Sequence, residues 1–383
     1  MDFTGKLSFL VFLLCVLFSL KNQHAETNKV SSRNTDDSHS FLRVPSRIKV
    51  EKKLTETHSY NSLQGSLRYD YYNESCPLAE KIVRTTVHEL FNGRRNVAPA
   101  LLRLLFHDCF VEGCDASVLL DAADGIASEK DSPPNESLKG FDLIDIIKLK
   151  LEQTCPGIVS CADIVVLAAR ESVLPGRRDS TVSFQEVATY ELPTPQDDLS
   201  KSIETFASRG FDQRETVSLL GAHSTGTIRC KFFFNRLYNF SGTQGPDPSI
   251  DTEFLSFLRS KCNRSHTSTS PLSISPSLSP SPSSSVNHLS TSSFTDPVMK
   301  MDYEGPGTGF GTVYYSSLLQ GKGLLFVDQQ LTAGEETETW VRAYASDVSL
   351  FQRDFGLTMT KLSNLQVLTA PMGQVRLNCR KVN

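Results

Sequence analysis

The chain has 383 residues, 39% of them hydrophobic and 21% charged, enough apolar side chain to bury one large core or two modest ones. Its 39 basic and 43 acidic residues leave a formal charge of -4, which excludes the basic face that nucleic-acid binding requires.

The first element in chain order is an export signal. Residues 7–20, LSFLVFLLCVLFSL, follow Lys6 and carry no charge. That run is too short to cross a bilayer comfortably and fits the apolar region of a secretory signal. Residues 1–25 are therefore expected to be the signal, cleaved near Ala25. Asp2 weakens the basic flank, so an uncleaved anchor is the alternative. No later segment reads as membrane-spanning. Residues 26–68 are polar, mixed in charge and without apolar periodicity, as in a flexible extension. The folded domain is expected over 69–383.

Within it, apolar residues recur at three- and four-residue spacing over 79–91, 99–110, 141–154, 161–173 and 197–210, which predicts helices. Further helices are predicted for ETVSLLGAH, TEFLSFLRSKC, TETWVRAYASDVSLFQRDF and MTKLSNLQVL. Strand signals are few and short, so the domain reads as all-α. Residues 265–296 interrupt it with STSPLSISPSLSPSPSSS, whose Ser and Pro content cannot form a packed core. This surface insertion is either an O-glycosylated stalk or an inert loop. Asn73, Asn135, Asn239 and Asn263 each begin an N-glycosylation sequon.

Once the signal is removed with Cys15, eight cysteines remain: Cys76, Cys109, Cys114, Cys155, Cys161, Cys230, Cys262 and Cys379. In an exported chain an even number points to four disulfides, with the connectivity left open. A zinc site is the rival reading, and the absence of any CxxC pair counts against it.

The chemistry concentrates in LLRLLFHDCF, residues 101–110. Arg103 and His107 are four apart, hence on one face of an apolar helix. An imidazole that titrates near neutrality can take and return a proton, and a guanidinium stays positive beside a forming anion. The pair suits heterolysis of a small polar bond. On spacing alone, a core histidine paired with Asp108 is the simpler account.

The wider sequence changes that balance. YNESCPLAEKIV, LLRLLFHDCFVEGCDASVLLD, SEKDSPPNESLKGFDLID, CPGIVSCADIVVLAAR, GRRDS, LLGAHSTGTIRC, RLYNFSG, GKGLLFVDQQL and VRLNCRKVN occur in the order found in secreted plant haem peroxidases. The chain resembles this class III family over residues 69–383, apart from the insertion.

The resemblance implies the haem peroxidase fold, a helical domain enclosing haem b with little β-structure. It implies that His107 is the acid-base residue toward hydrogen peroxide, with Arg103 stabilising developing charge and Phe106 packing beside the haem. Asn135 would orient His107, with Glu129 behind it, which makes Asn135 a buried group whose sequon stays unglycosylated. His223 would ligate the iron, Asp328 would accept its other ring proton, and Pro193 would line the access channel for phenolic donors. A calcium site on the His107 side would use Asp108, Val111, Gly113, Asp115 and Ser117, in a loop otherwise readable as a solvated acidic turn. A second calcium site would use Ser224 and Asp302. There the chain departs from the family, with Gly305 and Gly311 where threonine and aspartate are usual, so this site is expected to be weak or empty. The implied disulfides are Cys76 to Cys155, Cys109 to Cys114, Cys161 to Cys379 and Cys230 to Cys262. A monomeric, extracellular or vacuolar protein follows, with neither nucleic acid nor membrane as partner.

A second departure is a missing tryptophan-bearing segment before GRRDS; the sole tryptophan, Trp340, lies elsewhere. Two other readings stand beside an active peroxidase that oxidises phenols in single-electron steps. One is an impaired peroxidase-fold protein with a structural, wall-binding role. The other is an exported metal-dependent hydrolase.

Overall fold

The computed structural model describes residues 67–94, 96–125, 127–169, 173–262, 296–302 and 310–383. The signal, almost all of the polar extension and most of the Ser/Pro insertion lie outside the described residues, as do Gly305 and Asn263.

The described residues are mainly helical. Helices α1 (Ala79–Gly93), α2 (Val97–Cys109), α3 (Phe141–Thr154) and α4 (Cys161–Ala169) form one group, with α2 against α4 and α1 against both α3 and α4. After them come α5 (Gln185–Glu191), α6 (Leu199–Ala207) and α7 (Gln213–Leu220), then α8 (Phe234–Tyr238) and α9 (Thr252–Cys262). The chain closes with α10 (Thr312–Leu318), α11 (Phe326–Gln330), α12 (Glu335–Ser346) and α13 (Val348–Leu362). Of these last four, α10 packs on α12, and α13 on α7. The only sheet among the described residues pairs β1 (Thr227–Arg229) with β2 (Val298–Lys300), antiparallel, Ile228 opposite Met299.

The helix starts follow local chemistry. Asp198 accepts from the Lys201 amide at 2.8 Å to cap α6, and Asp212 with Glu215 forms a reciprocal capping box on α7. The expected single helix over TETWVRAYASDVSLFQRDF is in fact two. Asp347 leaves the helical conformation at φ -134 and caps α13, accepting from Ser349 and Leu350 at 2.9 and 3.0 Å. MTKLSNLQVL is likewise not a helix of its own: its first residues finish α13, which ends at Leu362. The histidine of GAHS sits on a 3-10 turn, Gly221–Ser224, rather than on α7.

One large apolar cluster joins α1 to α4 with residues of α7, α10, α12 and α13. A smaller one gathers Phe233, Leu237, Phe254, Leu258, Leu324 and Val327 around the Cys230–Cys262 bridge. All four expected disulfides are formed: Cys76–Cys155, Cys109–Cys114, Cys161–Cys379 and Cys230–Cys262.

The shortened connection before Gly176 closes on a buried ion pair. Arg177 and Asp163 are both fully buried and 3.0 Å apart. Asp163 also accepts from the Gly176 amide at 2.6 Å and from the Tyr72 hydroxyl at 2.7 Å, while Arg177 reaches the Ser363 carbonyl at 2.6 Å. A buried pair is worth keeping only when its remaining donors and lone pairs are matched, and here they are. The Arg68 amide donates to the Pro175 carbonyl at 3.1 Å, which ties the first described residues to this connection.

Candidate active site

Arg103 and His107 project from one face of α2, whose opposite face buries Leu101, Leu104 and Leu105 in the core. His107 is 8% exposed. The Asn135 amide nitrogen donates to the Glu129 carbonyl at 2.8 Å, which turns its oxygen toward His107 Nδ1, 2.5 Å away. An oxygen can only accept, so Nδ1 carries the ring proton and Nε2 is the bare lone pair. Arg103 Nε donates to that lone pair at 3.1 Å, and its other nitrogens donate to Ser137 Oγ and the Pro134 carbonyl, both at 3.0 Å. The guanidinium is thus held by the same turn that supplies Asn135.

Burial first, then the charge of Arg103, pushes the His107 imidazole down to about 3, against the opposing Asn135 bond. Burial lowers Arg103 only to about 10, so it stays cationic at neutral pH. Asn135 is 3% exposed with both amide atoms engaged, leaving no room for a sugar. Of the other described sequons, Asn73 and Asn239 are exposed. Phe106 stacks on Phe110 with centroids 4.7 Å apart and meets the His107 ring edge-on at 6.0 Å.

Facing this arrangement, His223 Nδ1 lies 2.8 Å from Asp328 Oδ1, and Asp328 is 1% exposed. Burial lowers the His223 imidazole, but the charge and hydrogen bond of Asp328 outweigh it and the net shift is upward. With Nδ1 taken, Nε2 is the nitrogen left to hold a ligand. The His223 side chain is 36% accessible although protein surrounds it, as for a group lining an internal cleft, and its charge still reaches His107. Two imidazoles across a cleft, one a bare base and one backed by a carboxylate, fit an iron porphyrin. Pro193 is partly buried between α5 and α6, and the neighbouring Pro195 carbonyl accepts from the Val327 amide at 3.1 Å, tying this segment to the helix that carries Asp328.

The loop after α2 gathers buried oxygen atoms. Asp108 is fully buried with Oδ1 unpartnered, and Ser117 Oγ is unpartnered as well. Burial pushes Asp108 well above the usual carboxylate range and Asp115 to about 6. Burial also raises Glu129, behind the same loop, to about 7. Gly113, at φ +109, lets the turn pass so close to Gln366 that any side chain would collide with it. Hard oxygens of Asp108, Asp115 and Ser117, with the Val111 and Gly113 carbonyls in the same turn, suit calcium.

The second implied calcium site fits poorly. Ser224 Oγ is buried and unpartnered, and Asp302 is half-buried. At Gly311, however, φ is +119 and a side chain would run into the Phe351 ring. An aspartate cannot stand there without moving that ring. Among the described residues no group of three or more His, Cys, Asp or Glu side chains is arranged to hold a metal.

Sequence reasoning missed Ser137, Tyr314 and Arg376. Ser137 stands two residues after Asn135 and looked like part of a sequon. Tyr314 donates to Asp328 Oδ1 at 3.0 Å. Arg376, fully buried, donates to the Ala116 carbonyl at 2.6 Å beside the calcium loop, a contact across 260 residues that no local pattern reveals.

The mainly helical fold is that of the haem peroxidases, and comparison with known proteins agrees. The sequence profile of the family described as Peroxidase matches residues 83–347. The chain is 51% identical over 332 residues to Putative Peroxidase 48 of Arabidopsis thaliana, with 82% of each chain covered. It is 39% identical over 333 residues to Peroxidase 5 of Vitis vinifera, covering 84% of this chain and 93% of that one. Peroxidase 56 of Arabidopsis thaliana is 37% identical over 341 residues, covering 86% and 94%. The chain belongs to the class III plant haem peroxidases and is a peroxidase.

Proposed function

We propose that this chain is an exported, haem-dependent peroxidase that reduces hydrogen peroxide and oxidises phenolic donors one electron at a time, with one structural calcium ion. The observation that carries the reading is the tautomer lock: Glu129 carbonyl to Asn135 amide, Asn135 oxygen to His107 Nδ1, leaving Nε2 as a neutral base beside Arg103.

Bound haem, held by His223 and packed by Phe106, supplies the redox centre at which the peroxide O–O bond is broken and the donor oxidised. The protein moves the proton. Peroxide displaces Arg103 from His107 Nε2, which takes the proton of one peroxide oxygen and delivers it to the other as that oxygen leaves. Arg103, freed from His107 but still held at Ser137 and Pro134, keeps its positive charge beside the leaving oxygen. Asp328 accepts from His223 Nδ1 and makes the imidazole a stronger donor to iron. Pro193, partly buried between α5 and α6, would line the approach of phenolic donors. Four disulfides accord with export, and no helix among the described residues is long and apolar enough to cross a membrane. Wall or oxidative-stress chemistry is the setting we favour. The complete, hydrogen-bonded site speaks against an impaired, wall-binding role.

Two tests follow. Because His107 is held down to about 3, the second-order rate with peroxide should stay level from neutral pH and halve only near pH 3, as followed by stopped-flow pH jumps. A half-point near 6 would mean that another group is the base. The same shift costs stability in acid: the unfolded histidine binds its proton near its ordinary 6.5, so stability drains as pH falls from there toward 3. Secondly, chelating calcium should lower the thermal midpoint by about 5 °C, the effect of a ligand at roughly a hundred times its dissociation constant. Asp108→Asn should abolish that shift. An equal shift in the variant would place the ion elsewhere.

A further inference from the structure

Behind His223 runs an unbroken row of oxidisable rings that the peroxide chemistry does not use. Tyr314 donates its hydroxyl to Asp328 Oδ1 at 3.0 Å, the oxygen that also faces His223 Nδ1. The Tyr314 ring meets Tyr315 edge-on at 4.9 Å between centroids, Tyr315 lies 5.2 Å from Tyr344, and Tyr344 lies 5.9 Å from Trp340. Trp340, the chain's only tryptophan, is partly exposed on α12. Tyr315 and Tyr344 are fully buried, where phenylalanine would serve packing equally well without a hydroxyl to satisfy. Two of the three hydroxyls donate to carboxylates, Tyr314 to Asp328 and Tyr344 to Asp354 at 2.9 Å. A phenol whose proton has a carboxylate to move to can lose an electron without leaving a buried positive charge. Arg214 stacks over Trp340 at 4.3 Å, and its charge is offset by Asp354 at 2.6 Å.

We propose that Tyr314, Tyr315, Tyr344 and Trp340 form an electron relay from the His223 side of the pocket to the surface, giving the enzyme a second oxidation site for phenolic polymers and tyrosine-bearing proteins too large for the pocket. The proposal rests on the haem peroxidase reading above. Converting one hydrogen peroxide to two waters takes two electrons and two protons, so two electrons must reach the pocket per turnover. For each, Tyr314 gives up an electron and its phenolic proton passes to Asp328. The electron is replaced through Tyr315 from Tyr344, whose proton passes to Asp354, and then from Trp340. A donor phenol at the surface restores Trp340, losing one electron and one proton and becoming a phenoxyl radical, and the tyrosines recover their protons from the two carboxylates. Tyr315, whose hydroxyl donates to the Val217 carbonyl at 2.9 Å, has no such proton acceptor and bridges through ring contact.

The test uses the haem-loaded full chain, one equivalent of peroxide and no donor, with a nitroso spin trap, and locates the adduct by peptide mass spectrometry. Adduct is expected on Trp340, and Tyr344→Phe, which keeps the ring, should lower it about tenfold. With donors present, Trp340→Phe should slow oxidation of reduced cytochrome c about tenfold and leave guaiacol, a small phenol, within about twofold. Adducts confined to the exposed Tyr69 and Tyr190, or a Trp340→Phe variant that treats both donors alike, would overturn the relay while leaving the peroxidase reading in place. Failure of the unsubstituted protein to oxidise guaiacol would overturn both.

Discussion

His107→Ala should lower kcat/KM for hydrogen peroxide by about 10²- to 10⁴-fold, the range of a single positioned acid-base group, with the disulfides and thermal midpoint little changed. The expected size follows from how exclusively the site relies on this ring. Asn135 leaves Nε2 as the only bare imidazole lone pair on the α2 face, and Arg103 stays cationic, so it cannot take the proton in its place. Stopped-flow mixing with peroxide, read apart from donor oxidation, measures the step directly. His107→Ala should retain Arg103, which keeps its bonds to Ser137 and Pro134. A loss below tenfold would mean that proton transfer is handled elsewhere, and the peroxidase mechanism proposed here would fall.

Replacing both Cys161 and Cys379 with serine should destabilise the domain by about 5 kcal/mol, the largest single effect on stability that the chain's geometry implies. The bridge joins residues 218 apart, the widest span of the four, and cutting it releases the most chain entropy in the unfolded state. It also fastens the C-terminal segment, where Arg376 reaches the Ala116 carbonyl beside the calcium loop and Arg380 pairs with Asp145 at 2.6 Å. The double variant should therefore lose calcium-dependent stabilisation along with its midpoint in denaturant. The same change at Cys109 and Cys114, only five residues apart, should cost clearly less. Equal costs at the two sites would show that strain or local packing, rather than loop length, sets the contribution.

The sequence by itself determined the helical class, the position of most helices and the chemistry of the α2 face. Each of these is written locally: a helix by the return of apolar residues every three or four positions, and the Arg103 and His107 pair by a spacing of four. Resemblance added Asn135, His223, Asp328 and the disulfide pairs, because motif order preserves what spacing alone cannot. Two helix boundaries were misread for a local reason as well: Asp347 accepts from the Ser349 and Leu350 amides of the next turn and stops one helix as it starts another, which an apolar count does not register.

Only the tertiary structure decided which nitrogen of His107 carries the proton, since that depends on the Glu129 carbonyl holding an amide that begins six residues later. It alone decided that Phe351, forty residues along the chain, closes the space where a second calcium ligand would stand. It also brought Tyr314, Tyr344 and Trp340 into line behind His223. Hydrogen-bond direction, steric exclusion and ring contact are relations between side chains distant in sequence, and they exist only once the core has packed.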